Sequence, residues 1–206
     1  MSSLETGHYL NLAGMSPETE AEGPGRRIAL WVQGCLRRCP GCCNPDMQPI
    51  REACMVETGD LISVLERIRE SHDVEGVTFI GGEPLLQAEG LADVAEWAHR
   101  AHLTVLVFTG YLYPNVLSRH LPGVERLLAA TDLLVDGPFE QERYDESRAW
   151  IGSANQRLYR LTDAYPEGIE YSAPRRLEVR VSADDIIVNG WPYLFQDHKN
   201  PQADAL

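Results

Sequence analysis

The sequence predicts an α/β fold in which βα units build a parallel sheet. Short, nearly continuous apolar segments alternate with stretches whose apolar residues recur at helical spacing. Such continuous segments are typical of strands that are buried on both faces of a parallel sheet. With 206 residues, the chain has the length of a single domain. We divide it into an N-terminal segment (1–25), a core (26–161) and a C-terminal extension (162–206).

The predicted elements of the core follow one another in a regular order. The N-terminal segment is polar and ends in a Gly-Pro-Gly turn. The predicted strands are 28–32, 77–80, 103–108 and 132–135. Helical spacing of apolar residues predicts helices at 60–69 and 91–98, and a broken helix over about 115–130.

The pattern changes after residue 137. Residues 138–176 are polar, whereas 177–181 alternate between apolar and polar residues, and a second segment follows at 184–190. These two segments predict an antiparallel β-hairpin at the edge of the fold rather than a second domain. We expect the tail beyond Phe195 to be frayed.

The composition excludes several classes of function. Lys and Arg number 18 against 31 Asp and Glu, so the net charge of −13 gives no general attraction for nucleic acid. The sequence has neither an apolar stretch long enough to span a membrane nor an N-terminal secretory signal. We therefore expect a cytoplasmic protein that binds neither nucleic acid nor membrane. In that reducing compartment, clustered thiols indicate metal binding or catalysis rather than disulfides.

Four of the five cysteines lie in the stretch CLRRCPGCCN, where Cys35, Cys39 and Cys42 follow the spacing C-x3-C-x2-C. Structural zinc usually has four ligands in two separated pairs, whereas Cys43 is adjacent to Cys42 and Cys54 is distant. The spacing favours an iron–sulfur cluster with three thiolate ligands and one open iron. Zinc and incidental thiols remain alternatives. We expect Cys43 and Cys54 to be small buried hydrophobic residues.

A second motif, Gly81-Gly82-Glu83-Pro84, directly follows the predicted strand 77–80. Two glycines allow a ligand to approach the backbone closely, or allow positive φ angles. A carboxylate beside them can accept a hydrogen bond from an ammonium group. The alternative is a turn at the end of a strand with a surface glutamate. The position of the motif one βα unit after the cysteines favours a ligand site.

With both motifs identified, the sequence resembles the radical S-adenosylmethionine superfamily. CLRRCPGC resembles its cluster loop, and GGEP resembles its motif for the methionine amino group. The resemblance is closer to the small activating proteins of anaerobic ribonucleotide reductase. It rests on GPGRRIALWVQGCLRRCPGCCNP, FTGY, DLLVDGPF and WIGSANQRL, and it covers about residues 22–161.

This resemblance implies a partial (β/α)6 radical SAM barrel, with the cluster at the carboxyl ends of the strands and the C-terminal β-hairpin as an extension. Cys35, Cys39 and Cys42 would bind three irons of a 4Fe-4S cluster, and S-adenosylmethionine would bind the fourth. The implied contacts to S-adenosylmethionine are Gly41, Cys42 and Cys43 at the adenine, Gly81, Gly82, Glu83 and Pro84 at the amino group, and Thr109 and Asp136 at the carboxylate, through a cation. Cys43 departs from the family pattern, because an aromatic residue often follows the third cysteine.

The chemistry implied by the resemblance is reductive cleavage of S-adenosylmethionine to methionine and a 5′-deoxyadenosyl radical, which abstracts a hydrogen atom. Our first hypothesis is an activase that generates a glycyl radical on a partner such as anaerobic ribonucleotide reductase, using a flavodoxin- or ferredoxin-type reductant. The second is an enzyme that modifies a peptide or a small molecule. The third is a zinc or redox module without enzymatic activity. The short chain favours the first, because a partner would have to cover one face of the barrel.

Overall fold

The computed structural model describes residues 7–181 and 186–190, so the predicted frayed tail beyond Phe195 lies outside the described residues. The strands in the described part are β1 (Tyr9–Thr19), β2 (Arg27–Val32), β3 (Cys54–Glu57), β4 (Gly76–Gly81), β5 (Thr104–Phe108), β6 (Leu133–Asp136), β7 (Arg157–Arg160), β8 (Leu177–Val181) and β9 (Ile186–Gly190). The helices there are α1 (Thr58–Ser71), α2 (Ala88–Arg100), α3 (Val124–Ala129) and α4 (Ile169–Ser172). Two short 3₁₀ turns and α3 occupy the stretch predicted as a broken helix.

A seven-stranded sheet in the order β3-β1-β2-β4-β5-β6-β7 forms the centre of the fold. Strands β2, β4, β5 and β6 are parallel, and they correspond to the four strands predicted for the core. Strand β1 pairs antiparallel with both β2 and β3, and β7 pairs antiparallel with β6. The mixed α/β class predicted from the sequence is confirmed.

The sheet differs from the six parallel βα units that the resemblance implied. Within the described residues, four strands are parallel and three more are antiparallel at the two edges. The connection between β1 and β2 is only residues 20–26, which suits antiparallel neighbours, whereas parallel neighbours need a longer crossover. The polar N-terminal segment therefore contains a long strand that the sequence analysis did not predict.

The parallel strands bury two different faces. One face packs against α1, α2 and α3 and consists of fully buried apolar side chains: Ile28, Leu30, Val77, Phe79, Val105, Val107 and Leu134. The opposite face, called here the inner face, carries Leu106, Leu133 and Val135, which pack against Ile151. The inner face is covered by irregular chain after β6 rather than by long helices, and this leaves room for a cavity.

Arg27 closes the inner face at the amino ends of the strands. Its side chain is completely buried, and its guanidinium donates hydrogen bonds to Thr78 Oγ1 (2.8 Å), Tyr165 OH (2.9 Å) and the carbonyl oxygen of Val77 (2.8 Å). Burial lowers the pKa of Arg27 from its usual value, but an arginine stays protonated in proteins. Because neutral groups accept its hydrogen bonds, Arg27 has a structural role rather than a reactive one.

Strands β8 and β9 pair antiparallel, from Leu177 opposite Gly190 to Val181 opposite Ile186. This pair is attached to β1 and the chain after it. Glu178 Oε1 accepts a hydrogen bond from the amide of Glu20 (2.6 Å), and Arg180 Nη1 donates to Ser16 Oγ (2.7 Å). Just before β8, Arg175 reaches the other side of the inner face and donates to Tyr144 OH (2.7 Å). The C-terminal chain therefore spans the inner face from side to side.

No helix among the described residues is both long enough and apolar enough to cross a membrane.

Candidate functional site

A cavity of about 510 Å³ lies on the inner face at the carboxyl ends of the parallel strands. Trp31, Ile80 and Phe108 line it from the last residues of β2, β4 and β5, and Gly137 follows β6. The carboxyl ends of parallel strands are where α/β folds usually place ligands. Each motif that the sequence analysis singled out contributes residues to the wall of this cavity.

The three motif cysteines, Cys35, Cys39 and Cys42, all line the cavity, and so does Cys43. The amide of Arg37 donates to Cys35 Sγ (3.3 Å), and the amide of Asn44 donates to Cys42 Sγ (3.4 Å). Backbone donors aimed at sulfur favour the thiolate form, which is the form that binds metal. The loop thus presents three thiols to one space.

The thiols of the loop differ in acidity. A hydrogen bond with the Cys43 side chain lowers the pKa of Cys42 to about 6. The same contact and burial raise the pKa of Cys43 well above its usual range. Burial raises the pKa of Cys39. Cys42 and Cys43 share one contact, and the spacing C-x3-C-x2-C favours Cys42 as the ligand.

The donor set fits a multinuclear cluster. In a 4Fe-4S cluster each cysteine binds a different iron, so the sulfurs lie around a larger object than one ion. Cys35, Cys39 and Cys42 around a cavity of about 510 Å³ meet that need.

The prediction that Cys54 is a buried hydrophobic residue is wrong. Cys54 is exposed on β3, an edge strand that pairs only with β1 and has residues facing solvent. It is not in the cavity wall, so nothing connects it with the cysteine loop. Cys43 is half-buried rather than fully buried, because it forms part of the cavity wall.

The glycine pair brings the second motif against the first. Gly82 donates from its amide to the carbonyl oxygen of Val32 (2.7 Å), and Glu83 donates from its amide to that of Gly34 (2.9 Å). A Cβ atom on Gly82 would lie 2.3 Å from the Gly34 carbonyl oxygen, and Gly81 has a φ of +104°. Only glycines permit this close approach. The start of the cysteine loop and the GGEP motif are therefore parts of one backbone junction.

Glu83 is buried, so the alternative of a surface glutamate is wrong. Its Oε1 accepts hydrogen bonds from Thr109 Oγ1 (2.7 Å) and the Leu85 amide (3.1 Å), and its Oε2 accepts one from the Gly110 amide (2.8 Å). Burial raises the pKa of Glu83, and these hydrogen bonds oppose that rise. The carboxylate links the ends of β4 and β5 and also faces the cavity.

Thr109 and Asp136 occupy different positions relative to the cavity. Thr109 lines the cavity. Asp136 does not, but the next residue, Gly137, does. Asp136 Oδ2 accepts a hydrogen bond from the Tyr113 amide (2.7 Å), but Oδ1 is buried without a partner. A buried acceptor of this kind suits a cation or a ligand donor. Of the other predicted site residues, Pro84 lines the cavity and Gly41 does not.

The sequence analysis missed several residues of the wall. Aromatic side chains line much of it: Trp31, Phe139 and Trp150. Glu22 also lines it, and burial raises the pKa of Glu22 to about 7 although the Gly190 amide donates to its carboxylate. Asn189 of β9 is a further polar residue. Trp31 adjoins the cysteine loop and was open to prediction, but nothing local in sequence marks Glu22 or Asn189.

Comparison with known proteins gives consistent matches. The family model for the 4Fe-4S single cluster domain matches residues 21–159. The anaerobic ribonucleoside-triphosphate reductase-activating protein of Pasteurella multocida is 30% identical over 159 residues, which are 74% of this chain and 99% of that protein. The protein of the same name from Escherichia coli K12 is 30% identical over 156 residues, covering 70% and 95% respectively. That of bacteriophage T4 is 28% identical over 145 residues, covering 68% and 88%.

Proposed function

The chain belongs to the family of anaerobic ribonucleoside-triphosphate reductase-activating proteins and contains a 4Fe-4S single cluster domain, and on this premise we propose that it generates a glycyl radical on an anaerobic ribonucleotide reductase. The family resemblance predicted from the sequence is confirmed. So are the enzymatic class and the 4Fe-4S cluster, and we propose S-adenosylmethionine as the second cofactor. The hypothesis of a zinc or redox module without enzymatic activity is therefore set aside.

The convergence of the cysteine loop and the GGEP motif on one cavity carries the proposal. Cys35, Cys39 and Cys42 would each bind one iron, which leaves the fourth iron for S-adenosylmethionine. When bound, the cluster would supply the electron for reductive cleavage of S-adenosylmethionine to methionine and a 5′-deoxyadenosyl radical, and this radical would take a hydrogen atom from glycine. The chain itself binds and orients these groups.

Glu83 is the residue suited to the methionine ammonium group. Its carboxylate is buried and held in one orientation by Thr109 and Gly110, so it meets a cation without reorganising. The unpaired Oδ1 of Asp136 supports a role near the methionine carboxylate, through a cation. Gly41, Cys42 and Cys43 would flank the adenine.

The walls of the cavity protect the radical. Trp31, Phe108, Phe139 and Trp150 surround the space with aromatic surface. Such surface would keep water away from the radical. The electron would come from a flavodoxin- or ferredoxin-type protein, and the hydrogen atom from the reductase.

The proposal is tested by following 5′-deoxyadenosine. The cluster is reconstituted anaerobically, the protein is reduced, and S-adenosylmethionine is added with and without the reductase of the same organism. We expect slow formation of 5′-deoxyadenosine by the protein alone and faster formation with the reductase, measured by chromatography. Absence of the product with every reductant would contradict the enzymatic mechanism.

A further inference from the structure

Asn189 is a buried amide in the cavity wall with an unused hydrogen-bond donor. Only 5% of the residue is exposed, and its Nδ2 atom has no hydrogen-bond partner. It lies opposite Glu178 in the β8–β9 pair, so both side chains share the face that is attached to β1. Buried polar atoms are nearly always paired in folded proteins. Because Asn189 belongs to the cavity wall, its unpaired donor points to a ligand that supplies an acceptor.

An acceptor lies next to this donor. Glu22 lines the same cavity, and its Oε1 accepts a hydrogen bond from the amide of Gly190, the residue that follows Asn189 (2.7 Å). Ile187 of β9 lines the cavity beside them. This wall thus offers one donor and one carboxylate next to an apolar side chain.

The arginines of the same wall are already engaged. Arg176 forms an ion pair with Glu20 (2.9 Å), and Arg180 donates to Ser16 (2.7 Å). Arg175 donates to the hydroxyl of Tyr144 (2.7 Å). Besides these partnered arginines, the wall offers a neutral donor at Asn189 and a carboxylate at Glu22.

A peptide unit matches the pattern, because it presents one carbonyl acceptor and one N–H donor. The proposed function supplies such a ligand, since the hydrogen atom is taken from a glycine within a polypeptide. The residues 21–159 matched by the 4Fe-4S single cluster domain do not include β8 and β9. A wall outside the shared domain is better suited to recognising the substrate of this chain than to holding the shared cofactors.

We propose that Asn189 is a specificity-determining residue that donates a hydrogen bond from Nδ2 to a backbone carbonyl of the glycine-containing segment of the partner protein. The inference rests on the proposed function and adds to it the residue that reads the substrate backbone. The contact is made in the cavity that also contains the cysteine loop, where the segment must enter to reach the radical.

The test uses the full-length, cluster-loaded protein and the reductase of the same organism. Asn189→Leu keeps the approximate size and removes the donor, and Asn189→Asp replaces the donor with an acceptor. We expect the KM for the reductase, measured by glycyl radical formation, to rise roughly tenfold with Asn189→Leu. We expect the same or a larger rise with Asn189→Asp. Affinity for S-adenosylmethionine, titrated without reductase, should stay unchanged.

Val179→Thr provides the matched control, since Val179 is on the same pair of strands but is half exposed on the outer face. Its KM should equal that of the wild type, and a rise as large as that of Asn189→Leu would contradict a role of the amide. Unchanged KM in both Asn189 variants, or weakened S-adenosylmethionine binding, would overturn the inference. If the wild type itself forms no glycyl radical, the proposed function fails and this inference with it. If the wild type forms the glycyl radical and both Asn189 variants have the KM of the wild type, only the Asn189 inference is contradicted.

Discussion

At the scale of single residues, we propose that three thiols of the cysteine loop bind the cluster and that the other two cysteines do not. We expect Ala substitution of Cys35, Cys39 or Cys42 to abolish the visible absorption of the reconstituted cluster. Cys43→Ser and Cys54→Ser should retain it, because Cys43 is adjacent to Cys42 and outside the C-x3-C-x2-C spacing, and Cys54 lies outside the cavity. Absorption spectra after anaerobic reconstitution give the answer. Loss of the cluster in Cys54→Ser would contradict the three-ligand assignment.

Glu83 joins the ends of β4 and β5, and we propose that it also binds S-adenosylmethionine. The substitution Glu83→Gln separates these two roles. Glu83→Gln keeps the shape but removes the charge, and a hydrogen bond to a charged group is worth about 1.5–3 kcal/mol. We expect affinity for S-adenosylmethionine to fall roughly tenfold or more, with the cluster retained. Anaerobic titration of cluster-loaded protein measures this, with Glu89→Gln, an exposed position on α2, as control. Unchanged affinity would make GGEP a turn only, and a lost cluster would make Glu83 structural.

At the scale of elements, the junction between β2 and β4 depends on Gly82. In Gly82→Ala the new Cβ would meet the backbone carbonyl oxygen of Gly34 at 2.3 Å, and no side-chain rotation relieves that contact. We expect a destabilisation of roughly 1–3 kcal/mol, together with weaker cluster retention. Gly59→Ala in α1 is the control, because its Cβ would meet nothing within 4 Å. That change should be neutral or stabilising by up to about 1 kcal/mol. Equal thermal midpoints for Gly82→Ala and Gly59→Ala would contradict the close contact between the backbones of Gly82 and Gly34.

The amino ends of the strands depend on Arg27. Arg27→Met keeps an apolar stem but leaves Thr78, Tyr165 and the Val77 carbonyl without their buried donor. A loss of about 3 kcal/mol is expected from unpaired buried groups, which corresponds to about 6–12 °C in thermal midpoint for a chain of this size. Arg100→Met, an exposed change at the end of α2, should shift the midpoint little. A similar thermal midpoint for the two variants would show that Arg27 does not stabilise the amino ends of the strands.

The elements also show what the sequence could predict. Strand β2 is buried at every position, and β6 likewise, so their continuous apolar stretches were recognised. Strands β3 and β7 have exposed residues and only four residues each, and β1 contains irregular register near Gly14 and Ser16. Their patterns are therefore too short or too broken for periodicity to detect, and their pairing depends on the finished sheet.

The candidate site shows the same difference between residues that local sequence predicts and residues that it does not. Cys35, Cys39, Cys42 and the GGEP motif were predicted because each motif is local, with its spacing visible in the sequence. The Glu22–Gly190 contact joins residues 168 positions apart. No local pattern reports a contact of that separation, so the C-terminal wall of the cavity could be recognised only in the folded protein.

At the scale of the whole molecule, one cavity collects residues from β1, the cysteine loop, the chain after β6 and the C-terminal strands. Four distant parts of the sequence thus enclose the space where the radical would form. Under the proposed function, the partner protein would have to bring its glycine into this space.

The central claim is that this chain transfers radical character to a glycine of an anaerobic ribonucleotide reductase. Electron paramagnetic resonance tests it most directly. Reduced, cluster-loaded protein is incubated anaerobically with S-adenosylmethionine and the reductase of the same organism, and the reductase is then examined for an organic radical. We predict a glycyl radical signal that requires S-adenosylmethionine and disappears with the Cys39→Ala variant. Formation of 5′-deoxyadenosine without any radical on the reductase would contradict the claim and assign the enzyme a different substrate.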